Sequence, residues 1–212
     1  MTLKDLETSV GMLAQTSKMP CPSWSISAKR CNVGSKLAAV NGSICEGCYA
    51  LKGAYAWGNT QAALERRWEA FHDCSLSWVE NMAEIINRKK LPFFRWFDSG
   101  DLASLFMLEC IVDVCKLTPD CKHWLPTKEI SIVSQYVKKH GAFPENLNIR
   151  LSAYMRDVKA PKIQGVELPS STVTDKAAPI GFACPSKDQG NKCLDCRACW
   201  SPSVSVVSYY WH

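Results

Sequence analysis

Between residues 60 and 151 the hydrophobic positions change period several times. Residues 60–73 place Leu64, Trp68 and Phe71 on one helical face, and residues 75–88 repeat the spacing with Leu76, Val79, Ala83 and Ile86. Pro92 precedes a short apolar run over 93–97 that suits a buried strand. Asp98, Ser99, Gly100 and Asp101 end it with turn and N-cap chemistry. A helix over 102–116 follows, with Leu105, Leu108, Val112 and Cys115 inward. The cycle then repeats. Residues 123–126 read as a strand, Thr127-Lys128-Glu129 opens a helix over 129–140 carrying Ile130, Val133 and Val137, Gly141 stops it, and 147–151 form the next strand.

Strand, helix, strand, helix, strand at this spacing predicts parallel pairing through helical crossovers. A closed eight-fold barrel needs about 250 residues, more than this chain offers. The expected fold is therefore α/β, a partial or distorted parallel βα barrel in a single domain spanning 1–212. Its parts are an N-terminal cysteine loop over 20–50, a βα core over 60–155 and a C-terminal cysteine segment over 180–200. Residues 156–179 lack periodicity and read as a long surface connection, 180–183 as a short strand, and the alternating tail from 203 to 212 as a last strand.

Composition adds one strong fact: 12 cysteines among 212 residues. With 47% hydrophobic and 21% charged residues, disorder and coiled coil are excluded. The net charge of +5 permits nucleic-acid contact without arguing for it. No stretch approaches the roughly 20 apolar residues of a membrane helix, and the first twenty residues lack a secretory pattern. The expected compartment is a reducing cytoplasm, where disulfides do not persist and metal becomes the default account of the cysteines.

The cysteines form groups. Cys184, Cys193, Cys196 and Cys199 make the sharper one, because three thiols at steps of three resemble the cubane-binding run of bacterial ferredoxins. Zinc prefers two separated knuckles and stays the alternative. Cys31, Cys45 and Cys48, with Cys21 upstream, form the other. Four ligands there would close the site, as in an electron carrier; three would leave one iron of a [4Fe–4S] cluster open. Cys74, Cys110, Cys115 and Cys121 lie in or beside regular elements and are expected in the core.

Ligands of parallel α/β folds bind at the carboxyl ends of strands. The segments there are 98–101, 127–129 and 152–156. Asp98 and Asp101 would suit an amine or ribose hydroxyls, and Lys128 or Arg156 an anion, while Asp101 and Thr127 also read as helix N-caps. His72, His123, His140 and His212 show no metal or triad spacing, and no phosphate loop is present.

Several of these pieces occur together elsewhere. Ser17-Lys18-Met19-Pro20, Cys31, Cys45-x-x-Cys48-Tyr49-Ala50, the Arg95-Trp96 to Asp101 run, and the Cys184-Pro185 to Cys199-Trp200 tail resemble the phage-encoded gene-product-eighty-eight family over roughly residues 10–212. That resemblance implies a phage origin and the cytoplasm of an infected host cell. More distantly the chain is similar to radical S-adenosylmethionine (SAM) enzymes that carry an auxiliary cluster. This likeness implies an open cubane on Cys31, Cys45 and Cys48 and a second cluster on Cys184, Cys193, Cys196 and Cys199. It also implies SAM against Asp98, Ser99, Gly100 and Asp101. The expected function is redox or radical-SAM-like chemistry with one or two [4Fe–4S] clusters, fed by an electron donor such as a host ferredoxin or flavodoxin. The alternatives are a non-catalytic electron carrier and a zinc-stabilised protein that binds nucleic acid or a host factor.

Overall fold

The computed structural model describes residues 1–73 and 75–211, without the side chains of Ser75 and Leu76. Its strands are β1 (Ser23–Trp24), β2 (Phe93–Trp96), β3 (Lys122–Thr127), β4 (Leu147–Ser152), β5 (Ser170–Thr174), β6 (Phe182–Ala183) and β7 (Val206–Tyr210). Its α-helices are α1 (Leu3–Ser9), α2 (Val33–Leu37), α3 (Gly58–Asp73), α4 (Ser75–Arg88), α5 (Leu105–Leu117) and α6 (Ile130–His140). All seven strands pair in parallel in the order β1-β2-β3-β4-β5-β7-β6. The sheet is open, with β1 and β6 at its edges, and does not close into a barrel.

The two faces of the sheet differ because strand side chains alternate. Phe94 and Trp96 of β2, Leu125 of β3 and Leu147, Ile149 and Leu151 of β4 join the main core, together with the apolar stripes of α4, α5 and α6. Trp24 packs edge-on against Trp78 at 5.0 Å and Trp96 at 6.4 Å, and His123 stacks on Trp96. The intervening residues, Arg95, Trp124, Asn148 and Arg150, occupy the other face. There Trp124 packs with Cys21, Cys199, Trp200 and Val207 in a second, smaller apolar cluster.

The predicted crossover helices and middle strands are present within a few residues. Four expectations change. α5 begins at Leu105, where the Ser104 hydroxyl accepts from the Met107 amide at 3.1 Å, so Ser104 rather than Asp101 is the N-cap. Thr127 ends β3, and the residue before α6 is Glu129. The 156–179 connection contains β5, whose Ser171 and Thr172 are buried and which pairs with both β4 and β7. The tail strand is confined to Val206–Tyr210. Cys110, Cys115 and Cys121 lie in the main core as expected; Cys74 and His212 lie outside the described residues. No helix among the described residues is long and apolar enough to cross a membrane.

Candidate functional site

Cys31, Cys45 and Cys48 stand over the carboxyl ends of β2, β3 and β4, whereas Cys21, grouped with them by sequence, lies at the amino end of β1, buried with Cys199. A 3-10 turn, Ala28–Arg30, delivers Cys31, and α2 follows at once. The loop is tied down at each strand end. The Val33 amide donates to Glu129 Oε1 at 2.7 Å, the Ile44 amide to the Tyr154 carbonyl at 3.0 Å, and the Tyr49 hydroxyl to the Asp98 carbonyl at 2.7 Å. Cys45 and Cys48 share one turn, closed by the Cys48 amide donating to the Cys45 carbonyl at 3.1 Å. That turn needs a left-handed residue, and Gly47 supplies it at φ +62°.

Gly34 is where two of the sulfurs meet. A Cβ on it would lie 3.5 Å from Cys31 Sγ and 3.7 Å from Cys45 Sγ, so the bare backbone of α2 leaves the space between them clear. Burial pushes the Cys31 thiol up to about 12, with the Asp101 carboxylate adding to the effect, and burial likewise raises Cys45. Burial disfavours the Lys128 ammonium, but Cys45, Asp101 and Cys31 around it outweigh that and raise its pKa. Three thiols, one ammonium and one carboxylate therefore share a half-buried space, and binding a cation there would release thiol protons.

The 98–101 loop is buried and internally bonded. Asp98 accepts from Ser23 at 2.8 Å, from Tyr55 at 2.6 Å and from Ser25, joining β1, β2 and the segment after Cys48. Burial opposes its ionisation, yet Arg95 and those hydroxyls hold it below the usual carboxylate range. Asp101 accepts from Thr127 at 2.6 Å and from the Lys128 and Leu102 amides, while burial raises its pKa. Ser99 Oγ is buried without a partner. Gly100, at φ +76°, lies so close to Ile26 that an added Cβ would stand 2.6 Å from its carbonyl oxygen. Arg156 pairs with Glu46 and with Asp175 at 3.1 Å, so its guanidinium is engaged within the protein rather than offered to an anion.

The C-terminal cysteines lie against the sheet face opposite the helices. Cys184 leads from β6 into a 3-10 turn, and its amide donates to the Ser208 carbonyl of β7 at 2.8 Å. Cys199 is buried, with Sγ 3.2 Å from the Tyr209 hydroxyl. Its carbonyl accepts from Asn148 at 2.7 Å and from Arg150 Nε at 3.1 Å. Arg150 spends its other nitrogens on the carbonyls of Ser170, Ala198, Ser201 and Val204. Sequence reasoning gave Arg150 no role, because it looks like an ordinary polar position in a strand, and Arg95 entered only as part of the Arg95-Trp96 to Asp101 run.

Among the described residues no three His, Cys, Asp or Glu side chains stand close enough to hold one metal ion. No curated protein and no solved structure matches the chain. The family model described as Gene product 88 matches residues 3–202, and with nearly the whole chain covered, the protein belongs to that phage-associated family.

Proposed function

We propose that this chain is an iron–sulfur protein that carries one or two [4Fe–4S] clusters on its two cysteine groups and uses them in redox chemistry. The observation that carries the reading is the company kept by Cys31 and Cys45: two sulfurs facing one cleared space beside Gly34, with Lys128 at hand and Cys48 in the adjoining turn. Thiolates on one tetrahedral ion sit about 3.8 Å apart, given metal–sulfur bonds of about 2.3 Å. A four-iron cube spreads its thiolates over a wider footprint. Such clusters take up and release single electrons at potentials set by charge, hydrogen bonds to sulfur and exposure.

The chain's own residues would tune that property. Lys128 supplies positive charge at the first group, and Trp124 and Trp200 exclude water from the second. The consecutive order β1 to β5, with the main core on one face, suits a partial βα barrel of the radical SAM kind. On that scaffold SAM would lie near Asp98, Ser99, Gly100 and Asp101, and a host ferredoxin or flavodoxin would donate the electron in the cytoplasm of the infected cell.

Anaerobic purification with iron, sulfide and zinc quantitation tests the proposal. Two cubes of four predict about eight irons and eight sulfides per chain, and Cys48→Ala should halve both. Zinc in place of iron would overturn the redox reading. Unchanged iron in Cys48→Ala would remove the N-terminal group from the ligand set.

A further inference from the structure

We propose that Cys21 is a thiolate donor of the C-terminal centre, and that Arg95 is the cation that balances that centre's charge. The inference rests on the cluster reading above and changes its ligand sets: four irons take four thiolates, so Cys21 enters in place of one of the four C-terminal cysteines. By sequence Cys21 sits ten residues before Cys31 and groups with the N-terminal cysteines. In the fold it lies at the amino end of β1, where the Arg95 amide donates to the Pro22 carbonyl at 3.2 Å. The N-terminal group stands over the opposite, carboxyl ends.

Three contacts bind the segment around Cys21 to the C-terminal group. The Cys193 amide donates to the Lys18 carbonyl at 3.0 Å. Cys193 Sγ lies 3.8 Å from Met19 Sδ. Cys21 itself is buried with Trp124, Cys199 and Trp200, and Cys184 and Met19 pack on the same cluster. The Ser17-Lys18-Met19-Pro20 run thus forms a wall of the C-terminal centre.

Arg95 provides the second observation. Its guanidinium stacks on Trp124 at 4.6 Å, and its Nε is buried with no acceptor. Nη1 reaches only the Met19 sulfur at 3.6 Å, and Nη2 only the Phe97 carbonyl at 3.4 Å. The Asp98 carboxylate is near enough to be stabilised by this charge but accepts no hydrogen bond from it, and a buried guanidinium this short of acceptors is costly unless a further anion stands beside it. A cube held by thiolates is such an anion, since the ligand charges exceed that of the iron–sulfide core. Arg197, whose guanidinium lies 5.2 Å from the Phe93 ring, adds a second cation near Cys21. The N-terminal group is then left with three thiols, the number that keeps one iron open.

The test uses the chain with Cys31, Cys45 and Cys48 all changed to Ser, reconstituted anaerobically with ferrous iron and sulfide so that only the C-terminal centre loads. Adding Cys21→Ser, or Cys21→Ala as a packing control, is expected to change the EPR spectrum and to speed iron loss to a chelator several-fold. Identical iron content, spectrum and release rate would overturn the assignment of Cys21. Arg95→Met should keep the iron and lower the midpoint potential, because the lost charge stabilises the more negative reduced state, and Arg95→Lys should restore much of it. A potential unmoved by Arg95→Met would overturn the role of Arg95. Dibromobimane cross-linking of the metal-free protein tests the placement without iron: the expected product joins Cys21 to Cys193, and one joining Cys21 to Cys31, Cys45 or Cys48 would overturn the assignment whatever the iron content. A chain that gives the expected cross-link but takes up no iron would instead remove the cluster reading, and the ligand role of Cys21 with it.

Discussion

Arg150 is fully buried, and each of its three nitrogens faces at least one backbone carbonyl, four of those carbonyls within Ala198–Val204. The planar fork lets one side chain serve a loop with no regular structure of its own. Arg150→Met would leave those carbonyls buried without donors, and we expect a loss of about 3–5 kcal/mol in denaturant unfolding. Arg150→Lys should recover little, since an ammonium cannot reproduce the fork. The acceptors lie 20 to 54 residues away in sequence, so local pattern places Arg150 in a strand and says nothing of its partners. His123 carries a pH prediction. Its ring is buried, its Nδ1 has no partner, and burial pushes its pKa down to about 3. The unfolded imidazole titrates near 6.5, so the unfolded chain binds the extra proton between those values. This contribution to stability is therefore constant above pH 6.5 and is lost as pH falls, by about 3 kcal/mol at pH 4. Unfolding of His123→Gln followed from pH 7 to 4 should show a shallower decline than the parent; equal slopes would refute the assignment.

At the scale of elements, α2 separates two demands that usually coincide. It is a five-residue helix with Gly34 at its second position, and helix propensity alone favours alanine there by about 1 kcal/mol. The added Cβ would stand 3.1 Å from Cys31 Cβ, tighter than an ordinary contact, and would touch both sulfurs at 3.5 and 3.7 Å. Gly34→Ala should thus leave metal-free stability equal or higher while reducing iron at the N-terminal group, read by thermal unfolding beside iron analysis. Retained iron would show that the space beside Gly34 is not used. Elements with strong apolar period were legible, as α4, α5, α6 and β2 to β4 show. β5 was not, because Ser-Ser-Thr-Val-Thr carries no apolar alternation. Its hydroxyls are buried by pairing with those of the neighbouring strands instead, Ser171 with Ser152 of β4 at 3.2 Å and Thr172 with Ser208 of β7 at 2.6 Å. The sequence starts α5 three residues early because Asp101 looks like a cap, while its carboxylate serves Thr127 and the Lys128 amide across the strand ends.

For the molecule as a whole, the two faces of the sheet divide stability from chemistry. The main core draws on α1, α4, α5, α6 and β2 to β4 and contains none of the outer cysteines. The second cluster is small and includes Cys21 and Cys199. Cooperative stability therefore comes from apolar burial on the helical face, which a metal chelator does not touch. The segments around Cys31–Cys48 and Cys184–Cys196 have short helices, partly exposed thiols and few apolar contacts, the features of locally labile regions. Arg150 still holds Ala198–Val204 without metal, so the labile stretch should end before that anchor. Hydrogen exchange of the iron-loaded protein before and after chelation checks this. Amides of residues 31–56 and 184–196 should lose protection by tenfold or more, while those of α4, α5 and β2 to β4 stay within a factor of two. Loss of protection throughout the sheet would mean that the metals hold the fold itself, and that the division between the two faces is wrong.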